Sequence, residues 1–209
     1  QYFEQYEPAI FMQLAKLFSK TALEVCEGQQ WDVDFETRDD VTIPEYLKMI
    51  EYKTAVLVAA AMKMGAIVAE TSGENADLIY EFGLNLGLAF QLQDDYLDAF
   101  GDPETFGKQV GGDIIENKKT YLYLKALVFS SKEEASQLQD LFSLHLEDSL
   151  DKIAAVKEIF NTSGASKATQ EAIHDYTFKA FETLEKMNIE ADKKNLLRTF
   201  GENLMGRKV

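Results

Sequence analysis

Cysteine is almost absent from these 209 residues: Cys26 stands alone, so no intramolecular disulfide can form and nothing points to an oxidising compartment. Cys26 itself falls in a helical apolar stripe and reads as a core residue. Proline is nearly as scarce, with three in the chain beside twelve glycines. Long segments rich in Ala, Leu, Glu and Lys therefore run without a breaker, which argues for mostly α structure. No apolar run reaches the length of about eighteen residues that a membrane span needs, and no signal-peptide pattern opens the sequence. A cytoplasmic protein is the expectation. Positive charge is also short, 21 Lys and Arg against 36 Asp and Glu for a formal net charge of −15, which argues against nucleic acid as a partner. The two histidines, His145 and His174, lack metal-ligand spacing and read as ordinary structural residues.

The length suits one domain with a sizeable core. Gln1-Tyr2-Phe3-Glu4 carries no initiating Met and leads almost at once into helical periodicity, so an N-terminal truncation is expected. The first helical segment places Ile10, Phe11, Leu14, Leu17, Phe18, Ala22, Val25 and Cys26 at three- and four-residue steps, a stripe expected to pack on something. Thr42-Ile43-Pro44-Glu45 reads as a capping box opening a long helix to about Ala69, interrupted on one side by Lys53-Thr54. A third helix starts near Ser72 and ends at Gly101, where glycine suits a left-handed residue after a helix and Pro103 cannot continue one. Asn117 to Leu127 forms the next helix, Ser131-Lys132-Glu133-Glu134 is a second capping box, and Asn161-Thr162-Ser163-Gly164 breaks the helical tail before a helix from about Ser166 to Met187.

Inside the third helix lies Phe90-Gln91-Leu92-Gln93-Asp94-Asp95-Tyr96-Leu97-Asp98. At roughly 100° per residue, Asp94 and Asp98 sit about 40° apart, with Asp95 about 60° further round. Like charges crowd one face near a helix C-terminus, whose partial charge is already negative, and a bound cation is the natural compensation. A solvated acidic face is the competing reading. The mostly apolar run Ile79 to Phe90 ahead of the cluster argues for burial, and a buried carboxylate must be paired or metal-bound. Oxygen-only ligands favour a hard ion such as Mg²⁺. Lys53 reads either as a surface lysine or as one turned inward to an anion. Gly107-Lys108 and Gly111-Gly112 supply a mobile cation and accessible backbone N–H groups directly after the cluster, the second half of a diphosphate clamp.

Taken together, Gly28-Gln29-x-x-Asp32, Lys53-Thr54, Phe90-Gln91-x-x-Asp94-Asp95-x-x-Asp98, Gly107-Lys108 and Asp113-Ile114-x-x-Asn117-Lys118 resemble the all-trans polyprenyl diphosphate synthases, the family of farnesyl and geranylgeranyl diphosphate synthases. The resemblance implies an all-α fold of antiparallel helices around a deep central cavity, commonly a homodimer. It implies a prenyltransferase that condenses an allylic diphosphate with isopentenyl diphosphate. Asp94, Asp95 and Asp98 correspond to its second aspartate-rich motif, with Asp94 the foremost Mg²⁺ ligand. Lys53, Lys108 and Lys118 look like the lysines that hold the allylic diphosphate. Thr54 and Gln91 resemble the groups whose oxygens stabilise a carbocation, and Phe90 the aromatic residue beside the isopentenyl tail. Gln29 and Asp32 look like supports behind these groups.

The family's first Asp-rich motif has no counterpart in these residues, so the N-terminal helices are expected to be missing and the 209 residues alone inactive. Alternatives from other classes are a non-catalytic helical partner or regulatory subunit, a terpene cyclase using the same ionisation, and an acidic helical bundle with no active site.

Overall fold

Pro8, tolerated in a first turn because its missing N–H has no intrahelical partner, opens α1 (Pro8–Glu36), after which no further proline interrupts the helix. In the computed structural model the described residues are 4–102, 110–144 and 149–206, and among them every regular element is helical. α1 buries Leu14, Thr21, Gly28 and Phe35, one residue in every seven. Of the expected apolar stripe only Leu14 is buried; Phe11, Phe18 and Ala22 are exposed, and so is Cys26, which is not a core residue. α1 has more apolar surface than its one-sided contact with the rest of the chain covers.

Both expected capping boxes form. Thr42 and Glu45 exchange hydrogen bonds at the start of α2 (Ile43–Ile50), as Ser131 and Glu134 do at the start of α7 (Lys132–Leu141). The expected continuous helix to Ala69 is instead three pieces: α2, a π-helical turn over Glu51–Ala55, and α3 (Val56–Val68). The wider i→i+5 turn shifts the phase of the helix, so that Lys53 reaches Asp32 on α1 and the adjacent Thr54 reaches Gln91.

Ser72 caps α4 (Gly73–Phe100), which ends at Gly101; that glycine is extended at φ −66° and ψ 162°, not left-handed. α3 and α4 run antiparallel at very close range, since a Cβ on Gly83 would lie 2.8 Å from Ala59 Cα, and one on Gly87 would lie 2.5 Å from Ala55 Cα in the π turn. α1 crosses the π turn with the same intimacy: a Cβ on Gly28 would stand 2.3 Å from the Lys53 backbone nitrogen, so no larger residue fits without moving Lys53.

After α5 (Gly112–Ile115), α6 (Tyr121–Phe129) begins later than expected because Asn117 is left-handed at φ 59° and breaks the helix there. α8 (Leu150–Thr162) ends ahead of Gly164, which is left-handed at φ 86°, and α9 (Ala165–Lys186) follows. α9 lies antiparallel on α4, joined at one end by Asn75 to Asn188 and at the other by Gln170 to Tyr96. α10 (Ala191–Met205) returns along α4, where Gln93 Nε2 donates to the Met205 carbonyl at 3.0 Å. One core joins α2, the second half of α4 and α6 to α9; a smaller one, centred on Phe82, Leu86, Ala180 and Leu184, joins the first half of α4 to the end of α9 and to α10.

Candidate functional site

A cavity of about 260 Å³ opens where the end of α1, α2, the π turn, α4 and the α5–α6 connection meet. Its lining divides by chemistry. Phe35, Met49 and Ile50 are apolar, whereas Asp94, Asp95 and Asp113 face Lys53, Lys118 and Lys119. The helices bring together residues more than sixty positions apart in the chain, which no local pattern could specify.

The cations are held in place by acids behind them. Lys53 Nζ donates to Asp32 Oδ2 at 2.6 Å, tying the π turn to α1. Lys118 bridges Asp113 at 3.2 Å and Glu116 at 2.9 Å. Burial alone would lower its pKa, but Glu116 and Asp113 outweigh that and raise it above the ordinary lysine range. Lys119 donates to the Glu36 carbonyl at 2.9 Å, a cation on the last turn of α1 where the helix dipole welcomes it. The turn carrying Lys118 is fixed from below: buried Lys152 donates to Asn117 Oδ1 at 2.5 Å and to the Leu144 carbonyl, which also accepts from Asn117 Nδ2.

The three expected metal carboxylates do not share one fate. Asp98 accepts the Asp113 backbone N–H at 2.9 Å, at the start of α5, and Gly111 N–H reaches the Asp98 carbonyl at 2.6 Å. Asp95 is buried, one oxygen accepting from Tyr46 OH and the other from Gln91 Nε2 at 2.9 Å. Asp94 faces the cavity, with no hydrogen-bond donor or cation paired to it among the described residues. Among those residues no three acidic, histidine or cysteine side chains converge on one point.

Asp113 completes the acidic wall. Sequence pattern marks it only as the start of Asp113-Ile114-x-x-Asn117-Lys118, yet it lines the same cavity as Asp94. Burial pushes its pKa up, Lys118 opposes that, and Glu116 and Asp94 add to it. Burial followed by the Asp113 charge raises Asp95 to about 7, against its hydrogen bonds from Tyr46 and Gln91. The same two causes raise Asp98 to about 6, against the backbone N–H groups of Asp113 and Gly112. The site thus holds more negative charge than its lysines neutralise. Two carboxylates facing a polar hollow beside lysines fit the habit of Mg²⁺, which takes one or two protein carboxylates and completes its shell with water and phosphate.

Gln91 lines the cavity, and its Oε1 accepts from Thr54 Oγ1 at 2.9 Å. Phe90 is half-buried one position earlier and does not line this cavity. Gly107 and Lys108 lie outside the described residues, as does His145. His174 is exposed on α9, stacked on Phe178. No helix among the described residues is long and apolar enough to cross a membrane.

The chain is similar to known proteins of one family. Residues 1–161 fit the family model described as polyprenyl synthetase. A short chain isoprenyl diphosphate synthase of Methanothermobacter thermautotrophicus is 37% identical over 187 residues, 90% of this chain and 56% of that protein. A crystal structure of a geranylgeranyl pyrophosphate synthase superposes with a TM-score of 0.92 at 57% identity, over 99% of this chain and 64% of that one. The Corynebacterium glutamicum geranylgeranyl pyrophosphate synthase, solved with isoprenyl diphosphate and magnesium, superposes at 0.87 with 27% identity, over 96% of this chain and 57% of that one. The chain therefore spans a little over half the length of such relatives. With its helical fold shared, and with three quarters of its residues inside the family model, the chain belongs to the polyprenyl synthetase family of prenyl diphosphate synthases.

Proposed function

We propose that these residues form the diphosphate-binding half of a trans-prenyltransferase site, which condenses an allylic diphosphate with isopentenyl diphosphate in the cytoplasm. The observation that carries this is the cavity whose lining combines Asp94 and Asp113 with Lys53 and Lys118, beside the apolar side chains Phe35, Met49 and Ile50. Asp94 and Asp113 would hold Mg²⁺, which when bound neutralises charge on the leaving diphosphate. Lys53, kept extended by Asp32, and Lys118, kept by Asp113 and Glu116, grip phosphate oxygens. Lys108 joins them in this reading. The allylic C–O bond breaks with its electron pair leaving on diphosphate. The double bond of the second substrate then attacks the allylic carbon, a C–C bond forms, and the proton lost passes to the departing diphosphate. The oxygens of Gln91 and Thr54 present negative dipole ends to the cationic carbon. Phe35, Met49 and Ile50 keep water from capturing it. Asp95 and Asp98 serve the metal indirectly, by setting Gln91 and α5.

The test is product analysis of the full-length protein with Mg²⁺, an allylic diphosphate and isopentenyl diphosphate. Diphosphate release matched by a product one five-carbon unit longer is expected; a folded protein that releases none, or that yields a cyclic hydrocarbon from the allylic substrate alone, would sink the reading. The 209 residues alone are expected not to turn over, because among the described residues only this acidic wall faces the cavity, and steady Mg²⁺-dependent release from them would contradict that.

A homodimer through the outer face of α1 belongs to the same proposal. Phe11, Met12, Leu23 and Val33 are exposed there, Met12 at 51% and Leu23 at 60%, and a second copy would bury them. Leu23→Glu is expected to weaken association at least about tenfold by placing a charge in that contact. Sedimentation equilibrium checks it, and an unchanged mass and dissociation constant would remove α1 from the interface.

A further inference from the structure

Gln91 is one link in a hydrogen-bonded chain of four side chains drawn from three helical segments. Tyr46 on α2 donates from its hydroxyl to Asp95 Oδ2. The other Asp95 oxygen accepts from Gln91 Nε2 at 2.9 Å, and Gln91 Oε1 accepts from Thr54 Oγ1 at 2.9 Å. The direction of every bond follows from the carboxylate. An ionised carboxylate only accepts, so it selects the amide NH₂ of Gln91 and turns the amide oxygen to the other side, against the Thr54 hydroxyl.

This selection works only while the carboxylate is itself fixed. The terminal torsion of an aspartate is soft, and Asp95 stands near Asp94 and Asp113, whose charges push it away. Tyr46 is the group that prevents rotation. It is 2% exposed, its ring packs 6.2 Å from that of Tyr121, and its place in the core holds the hydroxyl at one point. Without that hydroxyl Asp95 can swing, the Gln91 amide is no longer sorted, and its flipped form aims N–H groups where its oxygen had been.

We propose that Tyr46 is a positioning residue for prenyl transfer: acting through Asp95, it fixes the amide of Gln91, which lines the cavity, with its oxygen on the Thr54 side, so that the negative end of the dipole meets the charge developing on the allylic carbon. The proposal rests on the transfer reading given above. It assigns Asp95 a task that a metal ligand would not have, and it explains why a tyrosine outside the aspartate motif is hydrogen-bonded into it. A purely packing role would be filled equally well by phenylalanine.

The experiment is a double-mutant cycle in the full-length protein, with Tyr46→Phe, Gln91→Leu and the pair. Tyr46→Phe is expected to lower kcat by about tenfold to a hundredfold, with KM for the allylic diphosphate and the melting temperature nearly unchanged. In the Gln91→Leu background the same change is expected to cost nothing more. Losses that multiply, or a kcat untouched by Tyr46→Phe, overturn the proposal. A second measurement needs neither turnover nor a variant: the Gln91 side-chain NH₂ in the wild-type NMR spectrum is expected to show two well-separated, slowly exchanging protons. An averaged, solvent-like signal overturns the coupling whether or not Tyr46→Phe folds. A wild type that keeps the ordered amide but elongates no substrate would instead defeat the transfer reading.

Discussion

Asp94→Ala is expected to reduce kcat/KM of the full-length protein by about a thousandfold and to abolish diphosphate-dependent Mg²⁺ uptake, while leaving the melting temperature equal or slightly higher. Of the aspartates in the motif, Asp94 is the one that faces the cavity without a protein donor among the described residues. Its charge therefore does no structural work. It adds repulsion to Asp95 and Asp113, so in the metal-free protein its removal relaxes the site. Asp98→Ala should behave oppositely. There the carboxylate accepts a backbone N–H at the start of α5, and losing it costs about 1–3 kcal/mol of stability, with Mg²⁺ affinity falling only as α5 and Asp113 shift. Calorimetric titration of Mg²⁺ with inorganic diphosphate, beside thermal melts, separates the two. Equal losses of Mg²⁺ affinity at both positions would mean that the motif binds the ion as a set.

That division of labour shows where the sequence stops being informative. Helical spacing places Asp94, Asp95 and Asp98 on neighbouring faces of α4, and the apolar run before them argues for burial. Spacing does not say which carboxylates the protein itself occupies. Asp95 is claimed by Tyr46, 49 positions away, and Asp98 by the backbone of α5, 15 positions away. Asp113 joins the acidic wall for the same reason: its proximity to Asp94 is a product of tertiary packing. Lys53-Thr54 was visible as a polar break in an apolar helix. The π turn that lets adjacent residues serve two different helices has no signature in residue type, because it arises from how α1 and α4 pack on either side.

Local chemistry fared better where a few neighbouring residues decide the outcome. The capping boxes at Thr42 and Ser131 require only a hydroxyl and a glutamate three positions on, and both form. Asn117 ends its helical expectation through its own left-handed backbone, with Lys152 supplying the buried partner from a distant helix. For α1, periodicity identified an apolar face correctly but not its fate. Burial is a relation between two surfaces, and among the described residues of α1 the line Leu14, Thr21, Gly28 and Phe35 is the one buried against the rest of the chain.

The acidic wall also makes a signed statement about pH. Asp95 and Asp98 are raised from 3.8 to about 7 and about 6, each first by burial and then by the Asp113 charge. A carboxyl raised in the folded state binds its proton more tightly there than in the unfolded chain. Its stabilising contribution is thus complete below pH 4 and lost as pH climbs through 6 and 7. Asp40 and Glu45, lowered by hydrogen bonds from Arg38 and Thr42 respectively, act in the other direction and lose their contribution as pH falls below their ordinary range. The metal-free protein should accordingly be most stable near pH 5 and lose on the order of a few kcal/mol by pH 8, less than the raw shifts imply because Asp98 is partly exposed and screened. For a chain of this size that is a fall of roughly 5–10 °C in melting temperature. Mg²⁺ with diphosphate should cancel most of the decline, and its binding near pH 6 should release protons that binding at pH 8 does not. Asp113→Asn removes the strongest like-charge neighbour of both groups and should flatten the metal-free curve. A melting temperature that stays level or rises from pH 5 to 8 in the absence of metal would show that these carboxylates are not held close together in a dry site, and with that the case for a cation-dependent clamp would lose its electrostatic basis.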